Sequence, residues 1–137
     1  MQTFLPYKDF TKSAKALDNK RLGKQRVEVK QILNALDGKS KGWTNHPATN
    51  MWRGYETALA QYGIKICEEW IERGYNDSLL IEFQERFSNG VLEYPAWLGD
   101  PRVHLSHQSN LIRKAPEFYT PIFGEEIPND LPYYWAV

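Results

Sequence analysis

A chain of 137 residues and 16.0 kDa is sized for one compact domain, and its 42% hydrophobic and 25% charged residues exclude a disordered, collagen-like or coiled-coil chain. Seventeen basic and seventeen acidic residues cancel to a net charge of zero with a pI of 6.8, which taken as an average speaks against a nucleic-acid binder. No apolar run approaches the roughly 18 residues of a membrane span, and the opening MQTFLPYKDF lacks a signal peptide's basic start and apolar centre, so a cytoplasmic protein is expected.

In chain order, an extended N-terminal arm precedes the first helix. Residues 11–36 read as a helix, with Leu22, Val29 and Leu36 at heptad spacing, Ile32 and Leu33 widening the stripe, Thr11 as N-cap and a bend at Gly23. Asp37-Gly38 stops it. A second helix is expected from Pro47 to Arg73, its apolar stripe formed by Met51, Tyr55, Leu59, Tyr62, Ile66 and Trp70. Gly54 and Gly63 inside it mark close packing against another helix, since each otherwise weakens a helix by about 1 kcal/mol. The sole cysteine, Cys67, falls in this apolar pattern and is expected to be a buried thiol. Ser78 to Phe87 makes a shorter helix, and Asp100-Pro101 is the cap and first turn of a helix reaching Ala115. The remainder, with Pro116, Pro121, Pro128 and Pro132, is expected to be extended and ends in Tyr133-Tyr134-Trp135. The expected architecture is all-α: a single compact helical domain over residues 1–137 with an extended N-terminal arm and an aromatic, Pro-rich C-terminal tail.

The zero net charge hides an uneven distribution. Met1 to Gly42 holds ten Lys and Arg against four acids, an excess of +6, and the other 95 residues hold seven against thirteen, an excess of −6. Charges farther apart than about 8 Å are largely screened at physiological salt, so a ligand near the first segment feels its local excess. A second basic stretch from Pro101 to Pro116 carries Arg102, Arg113 and Lys114 with His104 and His107. If the two stretches meet, one face attracts phosphates. The commoner fate of such clusters is a solvated helix face.

The strongest local feature is Lys20-Arg21-Leu22-Gly23-Lys24-Gln25-Arg26-Val27-Glu28. On a helix Arg21, Lys24 and Glu28 share one face. Glu28 is either the partner in a surface ion pair with Lys24 or, as the only acid between Asp18 and Asp37, a chemical group inside a phosphate-attracting segment. His46 stands before Pro47 as a cap or a phosphate contact, and Trp43 and Trp52 either stack on bases or pack in the core. His104 and His107 lie three apart without a third ligand, and Ser106 lacks an orienting acid, so neither a metal site nor a hydrolase triad is expected.

The chain resembles the small phage-type pyrimidine-dimer DNA glycosylase/AP lyases, the endonuclease V type, and more closely their bacterial relatives that open MQTFLPY. The resemblance rests on the helix-1 block Leu22 to Glu28, His46, the Glu68 to Tyr75 block, the stretch Ser106 to Tyr119 and the terminal Tyr133-Tyr134-Trp135, and it extends over most of the chain. It implies a monomeric, mostly helical DNA repair enzyme of the cytoplasm, without cofactor, metal or obligate protein partner. Such an enzyme acts on duplex DNA with a damaged or modified base or an abasic site, and flips a nucleotide out. It further implies an N-terminal α-amine that attacks the sugar C1′ to form a Schiff base, with Glu28 as the catalytic carboxylate. An α-amine titrates near pH 8 and a lysine near about 10.4, so the former is the better nucleophile at neutral pH.

The family's nucleophile is a small residue exposed by removal of the initiator methionine, whereas the second residue here is the bulky Gln2. The expected nucleophile is therefore the amine of Met1; the alternatives are a desolvated Lys24 or a lost N-terminal role. Val27 stands where the phage-type pattern has Arg, next to Arg26. The DNA contacts implied are Arg21, Lys24, Arg26, His46, Arg113, Lys114, Tyr133, Tyr134 and Trp135. The competing function is a non-catalytic DNA- or RNA-binding module on the same scaffold.

Overall fold

The structure is a computed structural model describing Met1–Val137, and it is entirely helical outside its loops and termini. Seven helices follow in order: α1 Phe10–Ala16, α2 Asn19–Leu36, α3 Pro47–Trp52, α4 Glu56–Glu72, α5 Leu80–Ser88, α6 Pro101–Lys114 and α7 Pro116–Phe123. α4 packs against α1, α2 and α5, and α6 packs against α7. No helix is long and apolar enough to cross a membrane.

The first expected helix is two helices. Asp9, not Thr11, caps α1 by accepting the Lys12 N–H at 2.7 Å. The break falls at Leu17-Asp18 rather than Gly23, because Leu17 turns fully into the core in an extended conformation. The Asp18 carboxylate is committed to Arg21 Nη1 at 3.0 Å and to the Tyr119 hydroxyl on α7. Gly23 lies in the regular run of α2, where a Cβ would meet Trp70 Cη2 at 2.8 Å, so it is a packing glycine.

The second expected helix is also divided. α3 ends at Trp52, and Gly54 takes φ +89°, a conformation open to glycine at no steric cost. Gly54 therefore makes the corner and packs against nothing, whereas Gly63 fulfils the close-packing expectation: a Cβ there would lie 2.7 Å from Phe83 Cδ2. α5 begins two residues later than expected, at Leu80, and the Asp77 carboxylate accepts both Leu79 N–H and Leu80 N–H in the turn that leads into it. α6 starts on its Asp100 cap as expected. The segment after it is not wholly extended, since residues 116–123 form α7 with Pro121 inside. The carbonyl that loses its partner there, Glu117 O, belongs to an exposed residue that water can serve.

The core is one cluster of 23 buried residues, joining Leu22, Val29 and Ile32 of α2 to Leu59, Tyr62 and Ile66 of α4, Phe83 of α5 and Leu111 of α6. Cys67 is buried, and burial first, then the Asp77 carboxylate beside it, push its thiol far up. Trp52 belongs to this core, fully buried and edge-on to Trp97 at 5.0 Å. Phe4 and Leu5 also belong to it, so the N-terminal arm is extended but runs through the interior rather than over the surface.

Candidate active site

An extended segment buried among helices has no neighbouring strand, and its peptide groups need partners from elsewhere. Here side chains supply them. Gln2 N–H donates to Glu28 Oε2 at 3.1 Å, Phe4 N–H to Gln25 Oε1 at 2.9 Å and Leu5 N–H to His107 Nδ1 at 2.9 Å. Gln2 O accepts from Gln25 Nε2 at 3.0 Å, Leu5 O faces His104 Nδ1 at 2.8 Å and Pro6 O accepts from Gln108 Nε2 at 2.7 Å. The Tyr62 hydroxyl lies 2.6 Å from Phe4 O. The register of residues 2–6 is thereby fixed, and with it the amino end of the chain on Glu28.

Glu28 is 6% exposed. Its Oε2 accepts from the Gln2 amide and from Gln25 Nε2 at 3.2 Å, while Oε1 has only Lys24 Nζ at 3.8 Å, on a side chain 72% exposed. The ion pair with Lys24 thus exists at long range, but the carboxylate is a buried group held by main chain. Met1 is half-buried, with its sulfur 4.0 Å from Thr49 Oγ1 on α3.

His46 closes the other side. It caps α3, its Nδ1 accepting the Ala48 N–H at 3.0 Å, which leaves the proton of the neutral ring on Nε2. Burial lowers its pKa, the positive N-terminus lowers it further, and Glu28 opposes both. His46, the amino end and Glu28 therefore lie in one another's field. The ring is edge-on to the half-exposed Trp43 at 5.5 Å and to Trp135 at 5.8 Å.

Trp135 arrives on the C-terminal tail, which is strapped to α6. Leu131 N–H donates to Ser109 Oγ, Leu131 O accepts from Asn110 Nδ2, Tyr134 N–H donates to Ser106 Oγ, and Arg113 reaches Asn129 O. Arg102 lies over the Tyr134 ring at 4.4 Å. Tyr133 packs between Phe4, His107 and Trp135. Burial raises its phenol, the charge of Glu28 pushes the same way, and those of Arg113 and Arg21 oppose it.

The expected site residues are therefore divided. Met1, Glu28, Lys24, His46, Tyr133 and Trp135 come together, with Arg21 and Arg113 in electrostatic reach of Tyr133. Arg21 is half-buried and held by Asp18. Arg26 is not brought to them: two positions from Glu28 it points elsewhere, pairs with the buried Asp77 at 2.6 Å and lies over Trp70. Lys114 is exposed and free of ion pairs. Lys15 and Lys30 are likewise bonded to Glu69 and Glu82 of the acidic remainder, so part of the +6 excess is compensated within the fold. His104 and His107 each spend Nδ1 on the Leu5 peptide. A surface cavity of about 480 Å³ beside Lys8, Lys65 and Tyr94 contains none of the expected residues.

Sequence reasoning gave no role to Gln25 and Gln108, read Tyr62 only as core and His104 only as part of a basic stretch; all four have partners among the backbone atoms of a distant segment. The only signal available was their position on the inward side of an apolar stripe.

A family model described as pyrimidine dimer DNA glycosylase matches residues 1–83. The matched span takes in Met1, Arg21, Lys24, Arg26, Glu28 and His46 and ends within α5, before α6 and the tail. No curated protein and no solved structure is a significant match to the chain.

Proposed function

The chain belongs to the pyrimidine dimer DNA glycosylase family, which acts on damaged DNA, and from that membership we propose that it is a DNA glycosylase with AP lyase activity working through a Schiff base. The observation that carries the proposal is the contact of the chain's amino end with a buried carboxylate: Gln2 N–H sits 3.1 Å from Glu28 Oε2, and the Met1 α-amine is one residue away.

The steps follow from these groups. The unprotonated Met1 amine attacks C1′ of a flipped nucleotide; the N-glycosidic bond breaks, and its electron pair and a proton leave with the base. The C1′–O4′ bond then opens, O4′ takes a proton, and C1′ becomes the carbon of an imine to the amine nitrogen. The imine acidifies the C2′ hydrogen. Its removal as a proton expels the 3′ phosphate, and water hydrolyses the imine to release the enzyme. Glu28 moves protons in these transfers and stabilises the cationic imine. Arg21, Lys24, Arg113 and Lys114 meet phosphates, and Trp135 and Tyr133 offer aromatic surface to the unstacked duplex.

The test is nicking and borohydride trapping on a duplex with one abasic site. Native protein is expected to form a covalent adduct, and Glu28→Gln to slow single-turnover nicking on the order of 10²- to 10⁴-fold while still binding the duplex. Salt-sensitive binding without adduct or nicking, and indifferent to Glu28→Gln, is the result of a binding-only module and refutes the enzyme.

A further inference from the structure

The geometry points to Gln25 as the positioning residue of this site, a bracket that sets the amino end of the chain against Glu28 and leaves Oε1 as the working oxygen of that carboxylate. The inference deepens the function proposed above and rests on it for its catalytic consequence.

Gln25 is 1% exposed and one turn before Glu28 on α2. Both ends of its amide are fully engaged. Oε1 accepts the Phe4 N–H at 2.9 Å and lies 2.8 Å from the Tyr62 hydroxyl. Nε2 donates to Gln2 O at 3.0 Å and to Glu28 Oε2 at 3.2 Å. Reversing the amide would set its NH₂ against the Phe4 N–H and its oxygen against two acceptors, so the orientation is unambiguous. Tyr62, fully buried, is kept protonated by burial and then by the charge of Glu28, and its single proton serves Phe4 O or Gln25 Oε1. One side chain thus grips the entering strand at residues 2 and 4 and the carboxylate at once. With Oε2 occupied by two donors, Oε1 alone remains for a proton or for the imine, since Lys24 is distant and solvated. A purely structural glutamine would need no contact with Glu28; a bracket needs both.

The test uses the full-length chain and two nearly isosteric variants. Gln25→Glu keeps acceptors toward Phe4 and Tyr62 but replaces the donor facing Gln2 O and Glu28 by an oxygen, and Gln25→Met removes all four contacts. Three quantities are read on folded protein: duplex affinity, single-turnover nicking at saturating enzyme, and hydrogen exchange at the Phe4 amide. Both variants are expected to keep an affinity within about two-fold of native and to lose on the order of 10- to 100-fold in single-turnover rate, as misplacement of a reacting pair by about 1 Å does. In Gln25→Met the Phe4 amide should also lose its protection while α4 amides keep theirs. Unchanged rates per folded molecule, a loss confined to affinity, or retained Phe4 protection in Gln25→Met each overturns the inference. Should Gln25→Met fail to fold, Tyr62→Phe, which removes one hydroxyl, is expected to lower the single-turnover rate by about 2- to 5-fold at unchanged affinity; no change overturns it. If native protein itself neither nicks nor traps, the proposed function fails, and the exchange result in the variants still decides whether Gln25 holds the segment.

Discussion

The two oxygens of Glu28 live in different worlds. Oε2 is tied to the Gln2 amide and to Gln25, while Oε1 faces a solvated ammonium 3.8 Å away. A carboxylate so divided is held on one side and open on the other, the arrangement on which its proposed role in proton transfer rests. The two arginines that precede it in sequence diverge just as sharply. Arg21 is in electrostatic reach of Tyr133, whereas Arg26 is spent on Asp77. Burial acts to raise the Asp77 carboxyl, but the Leu80 N–H and then Arg26 outweigh it and hold it below the usual range. Arg26→Gln is accordingly expected to destabilise the fold by about 3 kcal/mol, leaving Asp77 buried without its cation, and to leave the salt dependence of DNA binding untouched. Arg21→Gln should reduce the slope of log affinity against log salt by about 0.9. Urea titration and binding anisotropy at several salt concentrations measure both, and equal slopes for the two variants would contradict the division. Glu28 was legible in sequence because it is the lone acid in a basic stretch. Arg26 was misplaced because a charge on a helix declares its sign but not its tertiary partner.

At the scale of elements, the decisive piece is the one with no regular structure. Residues 2–6 cross the core on side-chain hydrogen bonds, and two histidines of α6 clamp the Leu5 peptide from both ends. Burial, then the nearby His104, lower the His107 pKa from 6.5 to about 3, and burial lowers His104 as well. The unfolded chain takes up protons as pH falls through 6.5, while native His107 does not. Its stabilising contribution is therefore complete above pH 6.5 and is lost as pH falls toward about 3. The slope is at most about 1.4 kcal/mol per pH unit, so roughly 2 kcal/mol disappears between pH 7 and pH 5 on account of this one group. His107→Asn, which keeps an acceptor near the place of Nδ1, is expected to flatten that part of the urea-midpoint profile; an unchanged profile would refute the assignment. Most helices were legible from apolar spacing and caps, as the Asp100 cap of α6 shows. Their interruptions were not. The break at Asp18 depends on Tyr119, 101 residues away, and the corner at Gly54 depends on a positive φ that an isolated glycine does not announce. α7 was hidden by prolines whose lost bond falls on an exposed carbonyl.

At the scale of the molecule, the balanced charge resolves into a face and its counterweight. Lys15, Arg26 and Lys30 are bonded to acids of the later sequence, and the cations in reach of Tyr133 are Arg113 and Arg21, the latter paired with its neighbour Asp18. The two ends of the chain meet on that face: Met1 contacts Thr49 of α3, and Trp135 contacts His46, the cap of the same helix. The fold thus brings both termini and a buried carboxylate to one surface. The reacting nitrogen proposed for that surface is the chain's own α-amine. Intact-mass determination followed by mapping of the borohydride-reduced adduct on an abasic duplex tests this directly. The expected product is a chain that retains Met1 and carries the sugar on the α-amine of its N-terminal peptide; an adduct on Lys24, or no adduct, would contradict the assignment.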